Sequence, residues 1–435
     1  MQRSIIAPAE RVTNLRWGIA VLLGVGVLIN YFDRVNLTVA GPSLRKEFGI
    51  DDVGFGYLLS AFAWTYALLQ IPVGVILDRW GVVTIGRVTS FLWSVSSALT
   101  TLAGGALGFG WIFGTRLLLG VAETPTFPIN SKATGYWFPA KERALATAIF
   151  DSAAKLATGI GVPLVAIVLV AYGWRATFFV TAILSFLFFV AFTLWYRNPS
   201  EDKRLTHAER QYILEGGAQP EGRSSASAGA AFGYVLRQRK VWGVTIAFAA
   251  YDYSFYLFLT WLPGYLVKTY HLDVIKSGGY AMVPWLVAAA SDLLVGGFLI
   301  DALVKRGNDP SRVRAWIVVI GMLLGLAVLG AASTHDPNVA VAWITVALAG
   351  LAATAPVFWS IPSLIAPKGS VGSVGGIMNF FGNVMAIAAP IITGYIAQGT
   401  GAFTNAFIVA AAVLVVGIVA YLFVLGRVEP IPEPA

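Results

Sequence analysis

Asp33 and Arg34 are adjacent inside one long apolar run, and Arg116 and Glu123 lie inside another. A charge in hydrocarbon costs roughly several kcal/mol unless it is paired or hydrated, so groups placed this way are functional candidates by default. A guanidinium fork matches a carboxylate bidentately, and a buried carboxylate beside it can take up and release a proton. Asp33 lies ten residues before Ser43, hence about 15 Å along a helix at 1.5 Å per residue. Arg116 and Glu123 are seven residues apart, nearly two turns, so they share one face about 10 Å apart along the axis. Two acids and two bases from two helices can converge on one cavity. A competing reading makes both pairs inert packing contacts, since buried ion pairs are weak evidence for stability. Four such groups at matched depth favour the functional one.

The elements that must position them are membrane helices. Of the 435 residues, 57% are hydrophobic and only 12% charged, whereas a soluble domain carries about 25% charged residues. A soluble enzyme is excluded on that balance, and disorder is too. A crossing needs roughly 20 mostly apolar residues. Runs between charge clusters give twelve: Trp17–Ala40, Val53–Leu77, Val82–Ala103, Phe109–Thr126, Ala144–Ala171, Ala176–Tyr196, Val241–Val267, Ser277–Leu303, Ala315–Ala332, Val339–Ile365, Val371–Ala397 and Ala402–Leu425. The first is no signal peptide, being too long, interrupted by Asp33–Arg34, and without an Ala-x-Ala site. The expected fold class is an all-α polytopic membrane protein with two pseudo-symmetric six-helix bundles. Residues 1–196 form the first, 197–240 a cytoplasmic linker acting as a hinge, and 241–435 the second. Within the linker, Leu205–Gly216 reads as a short surface helix capped by Thr206, with Glu209 at the capping-box position.

Basic residues set the topology, because loops rich in Lys and Arg stay cytoplasmic. With the N-terminus inside, the inner segments hold Arg3, Arg11, Arg16, Arg79, Arg87, Lys132, Lys141, Arg143, the linker's basic set, Lys305, Arg306, Arg312, Arg314, Lys368 and Arg427. The outside keeps Arg45, Lys46, Arg175, Lys268 and Lys276. Both termini are therefore expected inside. The net charge of +8 is a topology signal, and no nucleic-acid partner is expected.

The halves echo one another. Gly74-x-x-x-Asp78-Arg79 recurs as Gly297-x-x-x-Asp301 at an offset of 223, and Pro139 recurs as Pro367 at 228. At that second offset Asp151 corresponds to Asn379 and Lys155 to Asn383. Two parallel repeats holding substrate near the midplane are a known transporter plan.

Gly74–Gly81 resembles the signature between the second and third helices of the major facilitator superfamily. It departs after Gly81, where Val82 and Val83 replace the usual basic residues. More specific stretches are Asn30-Tyr31-Phe32-Asp33-Arg34-Val35-Asn36-Leu37, Arg116 to Glu123 with Phe127-Pro128, Trp137-Phe138-Pro139, Gly173-Trp174-Arg175, Thr260-Trp261-Leu262-Pro263 and Asn379–Gly394. Together they are similar to the anion:cation symporter branch, which includes bacterial sugar-acid/proton symporters. The resemblance implies uptake of a small organic anion such as a sugar acid or other carboxylate or dicarboxylate. Alternating access with proton coupling would drive it, sodium not being excluded, in a bacterial inner membrane and as a monomer in lipid. It implies no cofactor and no metal. Substrate would meet Arg34, Arg116, Tyr31, Lys155, Asn379, Asn383, Tyr256 and Trp359. Asp33 and Glu123 would carry the proton, with Asp33 competing for Arg116 when deprotonated. Asp78, Arg79 and Asp301 would gate the conformations.

Other readings stay in view. An intramembrane enzyme lacks its means: there is no cysteine, the three histidines (His207, His271 and His335) fall outside the apolar runs, and neither H-E-x-x-H nor Gly-x-Ser-x-Gly occurs. A proton-coupled drug or metabolite antiporter shares the fold and would be expected to use acidic cavities. Here Arg34, Arg116 and Lys155 offset the acids and favour anions. Lys155 has two readings: an i,i+4 pair with Asp151, or an unneutralised third cation favouring a second anionic group on the substrate. Asp252 and Asp292 fit packing or cavity equally. Tyr251 and Trp261 are further cavity aromatics, or packing.

Overall fold

The computed structural model describes residues 13–139, 142–218, 221, 229–367, 371–400 and 402–432. Arg3, Arg11, Lys141 and Lys368 lie outside them, as do the Asp78, Asp301 and Lys305 side chains and the linker's 222–228 stretch. The described residues form helices joined by short turns, with no strand. Before the linker come α1 (Leu15–Phe48), α2 (Asp52–Thr100), α3 (Gly108–Glu123), α4 (Thr126–Trp137), α5 (Arg143–Tyr172) and α6 (Trp174–Trp195). The linker carries α7 (His207–Glu215) and α8 (Gly229–Leu236). After it come α9 (Arg239–Tyr270), α10 (Val274–Ser291), α11 (Ile300–Lys305), α12 (Pro310–Gly325), α13 (Val328–Ala332), α14 (Pro337–Ile365), α15 (Val371–Thr400) and α16 (Thr404–Val419). Among the described residues, nine helical stretches are long and apolar enough to cross a membrane. The remaining three expected crossings are helical as well: residues 52–80 of α2, α3 with α4, and α9.

Boundaries differ from expectation where backbone chemistry intervenes. The second and third crossings form one helical run, broken only at Gly81 (φ 77°, ψ 167°), a conformation that lacks a penalty only for glycine. The fourth crossing is longer than expected and split, α3 ending at Glu123 and α4 beginning at Thr126. Pro125 and Pro128 have no backbone N–H to continue the ladder. The eighth passes through a π-helical segment, Asp292–Leu299, between α10 and α11; π turns concentrate at functional positions.

The first six helices pack chiefly on one another, as do α9–α16, and the two sets meet through α2 with α15, α5 with α10, and α1 with α9. Very close approach is possible because glycines face backbone: a Cβ on Gly56 would lie 2.7 Å from the Pro390 carbonyl oxygen, and one on Gly394 would lie 2.6 Å from that of Asp52. Small residues at helix crossings serve this purpose in membranes. Among the described residues, polar contacts between the sets cluster from the level of Arg34 and Lys155 to the face opposite the linker, the far face. There Lys268 bonds Asp52 at 2.7 Å, Tyr57 meets Tyr395 at 3.4 Å, and Gln398 accepts from the Val53 N–H. Trp261 is buried in this seal, donating to the Pro390 carbonyl and standing edge-on to Phe55, so it is a packing residue and not a cavity aromatic.

The linker's first helix does not lie free on the surface. Thr206 caps it by accepting from the Glu209 N–H, as its sequence predicts. The Glu209 side chain, however, is fully buried and does not complete a capping box. It accepts from Thr13 Oγ1, from the backbone N–H of Leu15 and Arg16, and from Arg16 Nη1 at 2.8 Å. It thereby caps the start of α1, where Asn14 offers no side-chain cap; an acid there satisfies orphan donors and the helix dipole. Arg16 Nε also reaches Glu142 at 2.8 Å, and Tyr212 donates to the same carboxylate. α7 is thus pinned to the first set of helices. Next to it, burial opposes ionisation of Asp202, but the side-chain and backbone hydrogen bonds from Arg204 outweigh it and hold its pKa below the usual carboxylate range.

Candidate functional site

Asp33 and Arg34 sit near the middle of α1, which runs on to Phe48. Being adjacent on a helix, they point in different directions, and each meets a different set of partners. Arg34 Nε lies 3.3 Å from Glu123 Oε2, and both side chains are buried. Glu123 is the last residue of α3, so the break before α4 delivers this carboxylate to the guanidinium. Three aromatic rings surround Arg34: Tyr31 at 4.5 Å, Phe62 at 4.4 Å and Tyr66 at 5.4 Å from the guanidinium carbon. Cation–π attraction of this kind gains strength in a desolvated setting. Tyr256, from α9, brings its hydroxyl to 3.5 Å of Arg34 Nη1. Arg34 Nη2 and Glu123 Oε1 are buried and, among the described residues, have no hydrogen-bond partner. A guanidinium donor and a carboxylate acceptor therefore remain free beside one another.

Asp33 turns the other way, toward α2 and α6. Its carboxylate accepts from Trp93 Nε1 at 2.6 Å, Ser97 Oγ at 2.6 Å and Ser185 Oγ at 3.1 Å. The expected competition of the Asp33 carboxylate for Arg116 differs from what is seen. Arg116 Nη1 donates to the Asp33 backbone carbonyl at 3.0 Å, its guanidinium lies 5.3 Å from the Phe178 ring, and its Nε has no partner among the described residues. The physical reason is the triad of neutral donors, which satisfies the Asp33 carboxylate without a charge partner. Trp93, Ser97 and Ser185 were not legible as partners, since Ser and Trp are common in membrane helices and carry no register signal.

Lys155 is buried on α5, but the expectation of an unneutralised cation is overturned. Its Nζ lies 2.8 Å from Asp151 Oδ2, one turn earlier, and 2.5 Å from Asp292 Oδ2, which arrives from the other set of helices. Asp292 was left open between packing and cavity; it is buried and forms this bridge at the start of the π-helical segment. At the repeat-related positions, Asn383 donates to the Asn379 carbonyl at 2.8 Å and side-chain oxygen at 3.2 Å. Both halves of the repeat thus fold position i+4 back on position i.

The remaining candidates divide. Asp252 is nine-tenths buried, and among the described residues it makes no hydrogen bond or ion pair. Tyr251 is buried against Phe255 and Phe358. Trp359 is half exposed and packs edge-on to Phe248, and Asn379 is half-buried. Of the three residues expected to gate, Arg79 is exposed at the linker face, while the Asp78 and Asp301 side chains lie outside the described residues. Among the described residues no group of three or more His, Asp and Glu side chains is arranged to hold a metal ion.

Comparison with known proteins gives the setting for this geometry. The Major Facilitator Superfamily profile matches residues 23–390. The chain is 38% identical over 423 residues to the uncharacterized transporter YybO of Bacillus subtilis (strain 168), with 97% of each chain covered. It is 34% identical over 441 residues to the probable galactarate/D-glucarate transporter GudP of the same organism, covering 98% of this chain and 95% of that one. Among solved structures, a bacterial homolog of the human lysosomal transporter Spinster, in an inward-facing and occupied conformation, matches with a TM-score of 0.75 at 18% identity. That match covers 97% of this chain and 100% of the other, a likeness of fold alone.

Proposed function

The chain belongs to the major facilitator superfamily, a family of membrane transport proteins, and on that premise we propose that it imports small sugar-acid anions coupled to protons. The observation that carries this reading is the buried Arg34–Glu123 pair with one free guanidinium nitrogen and one free carboxylate oxygen. A carboxylate on Arg34 must displace or neutralise Glu123. Protonating Glu123 weakens its hold on the guanidinium, and the fork turns to a substrate carboxylate with two parallel N–H donors. Arg116, whose Nε has no partner among the described residues, is the second anion donor, and beside Arg34 Tyr256 supplies a hydroxyl and Tyr31 the face of its ring. Asp33 is a second proton site whose charge acts on Arg116 through the shared α1 backbone carbonyl. The relative of 34% identity described as a galactarate/D-glucarate transporter supports a hydroxylated carboxylate as substrate.

The contacts at the far face support an inward-facing state, with the linker face cytoplasmic in a bacterial inner membrane. A substrate released from Arg34 then leaves past Asn379 and Trp359, the half-exposed residues of α15 and α14. The functional unit is one chain, with two six-helix bundles (1–196 and 241–435) rocking about the site. Asp78, Arg79 and Asp301 gate the linker face.

The test is uptake of radiolabelled galactarate and D-galactonate into proteoliposomes, with and without an inward proton gradient. Accumulation that the gradient stimulates is expected. Absence of sugar-acid uptake, together with proton-driven export of organic cations, would replace this reading with drug antiport.

A further inference from the structure

The Asp33 carboxylate is fully buried, and among the described residues it meets three neutral donors and no ion-pair partner. The charges around it are engaged elsewhere. Arg116, from α3, bonds the Asp33 backbone carbonyl, and Arg34, the next residue on α1, pairs with Glu123. On α5, Lys155 pairs with Asp151 and with Asp292. On α2, Arg87 reaches the Thr193 carbonyl, and on α6, Arg175 pairs with Glu47. The choice of partners matters, because a carboxylate held by a guanidinium keeps its charge and a buried one without donors keeps its proton. Neutral donors leave both states within reach. The two oxygens are not equivalent. Oδ2 accepts from Trp93 Nε1 at 2.6 Å and from Ser185 Oγ at 3.1 Å, whereas Oδ1 accepts from Ser97 Oγ at 2.6 Å. An indole N–H can only donate, while a hydroxyl can reverse and accept. The Trp93 ring is buried and packs against Phe188 at 5.5 Å, which fixes its donor on Oδ2.

We infer that Trp93, Ser97 and Ser185 are positioning residues that poise Asp33 to exchange a proton at Oδ1, against the Ser97 hydroxyl. This rests on the reading above that Asp33 is a proton site, and it adds which atom takes the proton and which residues decide it. With Trp93 fixed on Oδ2, that oxygen stays an acceptor in both states, as a carboxylate oxygen in one and a carbonyl oxygen in the other. A proton on Oδ1 needs an acceptor of its own, and Ser97 supplies one by turning its hydroxyl round. Ser185 has a second outlet, since its Oγ also lies 2.8 Å from the Thr181 carbonyl and can donate there. No charged partner has to be displaced for this proton to come or go. Glu123 differs in that respect, because its protonation loosens Arg34.

Infrared difference spectra of the purified full-length protein, recorded against pH with no substrate present, report the carbonyl stretch of each protonated carboxyl group. The band missing from Asp33→Asn is that of Asp33, and in wild type it should titrate. Trp93→Phe removes a donor that favours the ionised form, so the protonated form gains. The midpoint should rise by about one pH unit, the worth of one hydrogen bond to a charged group. The same change strips a donor from the carbonyl oxygen, so the stretch should move to higher frequency. Ser185→Ala should act in the same sense and less strongly, which keeps the test open should Trp93→Phe fail to fold. Ser97→Ala takes a donor from one state and an acceptor from the other, so it should move midpoint and stretch less than Trp93→Phe does. Ser97→Thr should restore the wild-type band. A stretch that moves in Ser97→Ala but in neither of the other two variants puts the proton on Oδ2 and overturns the inference alone. Midpoints unchanged in Trp93→Phe and Ser185→Ala do the same. Wild type without a titrating Asp33 band overturns the proton-site reading with it. A band that titrates and shifts as expected, beside uptake that ignores the proton gradient, overturns proton coupling and supports the inference.

Discussion

Lys268 Nζ lies 2.7 Å from Asp52 Oδ2, which joins the end of α9 to the first turn of α2 across the two sets of helices. Arg45 Nη2 also lies 2.7 Å from Asp52 Oδ1, an ion pair, so one carboxylate ties three helix ends together at the far face. The lysine is partly exposed, and such pairs are worth only about 0.5–1 kcal/mol. Lys268→Gln should therefore shift the population toward the far-open state by about two- to fivefold. A cysteine at Tyr57, unique in this cysteine-free chain, should then react faster with a membrane-impermeant maleimide. An unchanged rate would remove the pair from the seal.

The contact between α5 and α10 can be locked. A Cβ on Gly159 would lie 3.2 Å from Leu286 Cγ, about where a partner sulfur sits relative to the Cβ of a disulfide. The Gly159→Cys, Leu286→Cys protein should cross-link on mild oxidation, stop transport, and recover under reductant. Transport that continues at full rate in the cross-linked protein would mean this interface stays closed throughout the cycle.

Arg34→Ala and Arg116→Ala should each leave a folded protein with binding weakened on the order of a hundredfold. That is the scale of roughly 2–5 kcal/mol lost with a desolvated charge partner. Arg116→Lys should also be severely impaired, because a compact ammonium cannot reproduce the fork. Calorimetric titration with a sugar acid decides both; near-normal binding by Arg116→Ala would take that residue out of the site.

Glu123→Gln and Asp33→Asn mimic the protonated acids. Asn fits at position 33: its amide oxygen can accept from Trp93 and Ser185, and its NH₂ can donate to Ser97, whose hydroxyl reverses role. Both variants should lose proton-driven accumulation, and counterflow of substrate should survive in at least one. Uphill uptake at wild-type level by either variant would show that its carboxylate does not couple.

Glu209→Ala removes the cap of α1 and one of the two acids on Arg16. Breaking a buried ion pair costs roughly 3–5 kcal/mol, so the melting temperature in detergent should fall by several degrees. Substrate affinity of the protein that remains folded should not change, because this network lies at the linker face. A variant as stable as wild type would show that the linker helix is not held there.

Much of the fold was written along the chain. The apolar runs mark helices because no other structure but a closed barrel satisfies its backbone in lipid, and the positions that the 228-residue offset aligns each carry an i,i+4 contact in the structure, Asp151–Lys155 and Asn379–Asn383. Asp33, Arg34, Arg116 and Glu123 stood out because charge is rare in hydrocarbon and its cost is visible in composition alone. Breaks were less legible. Gly81 interrupts a helix without ending it, and Pro125 with Pro128 splits the fourth crossing where hydropathy reads one continuous run.

What the sequence could not carry was partnership. It supplied Asp33 and Arg116 only as charges of matched depth, and the family resemblance suggested that they compete. Tertiary packing gave the Asp33 carboxylate to Trp93, Ser97 and Ser185, and Glu123 to Arg34. It likewise offered Lys155 to Asp151 by local spacing, while Asp292, 137 residues away, comes within 2.5 Å only because α5 and α10 cross. The reason is physical: membrane burial of a charge is a one-body cost that each segment shows by itself. The neutralising contact is a property of two helices, and its geometry is set by the glycines and side chains that let them approach.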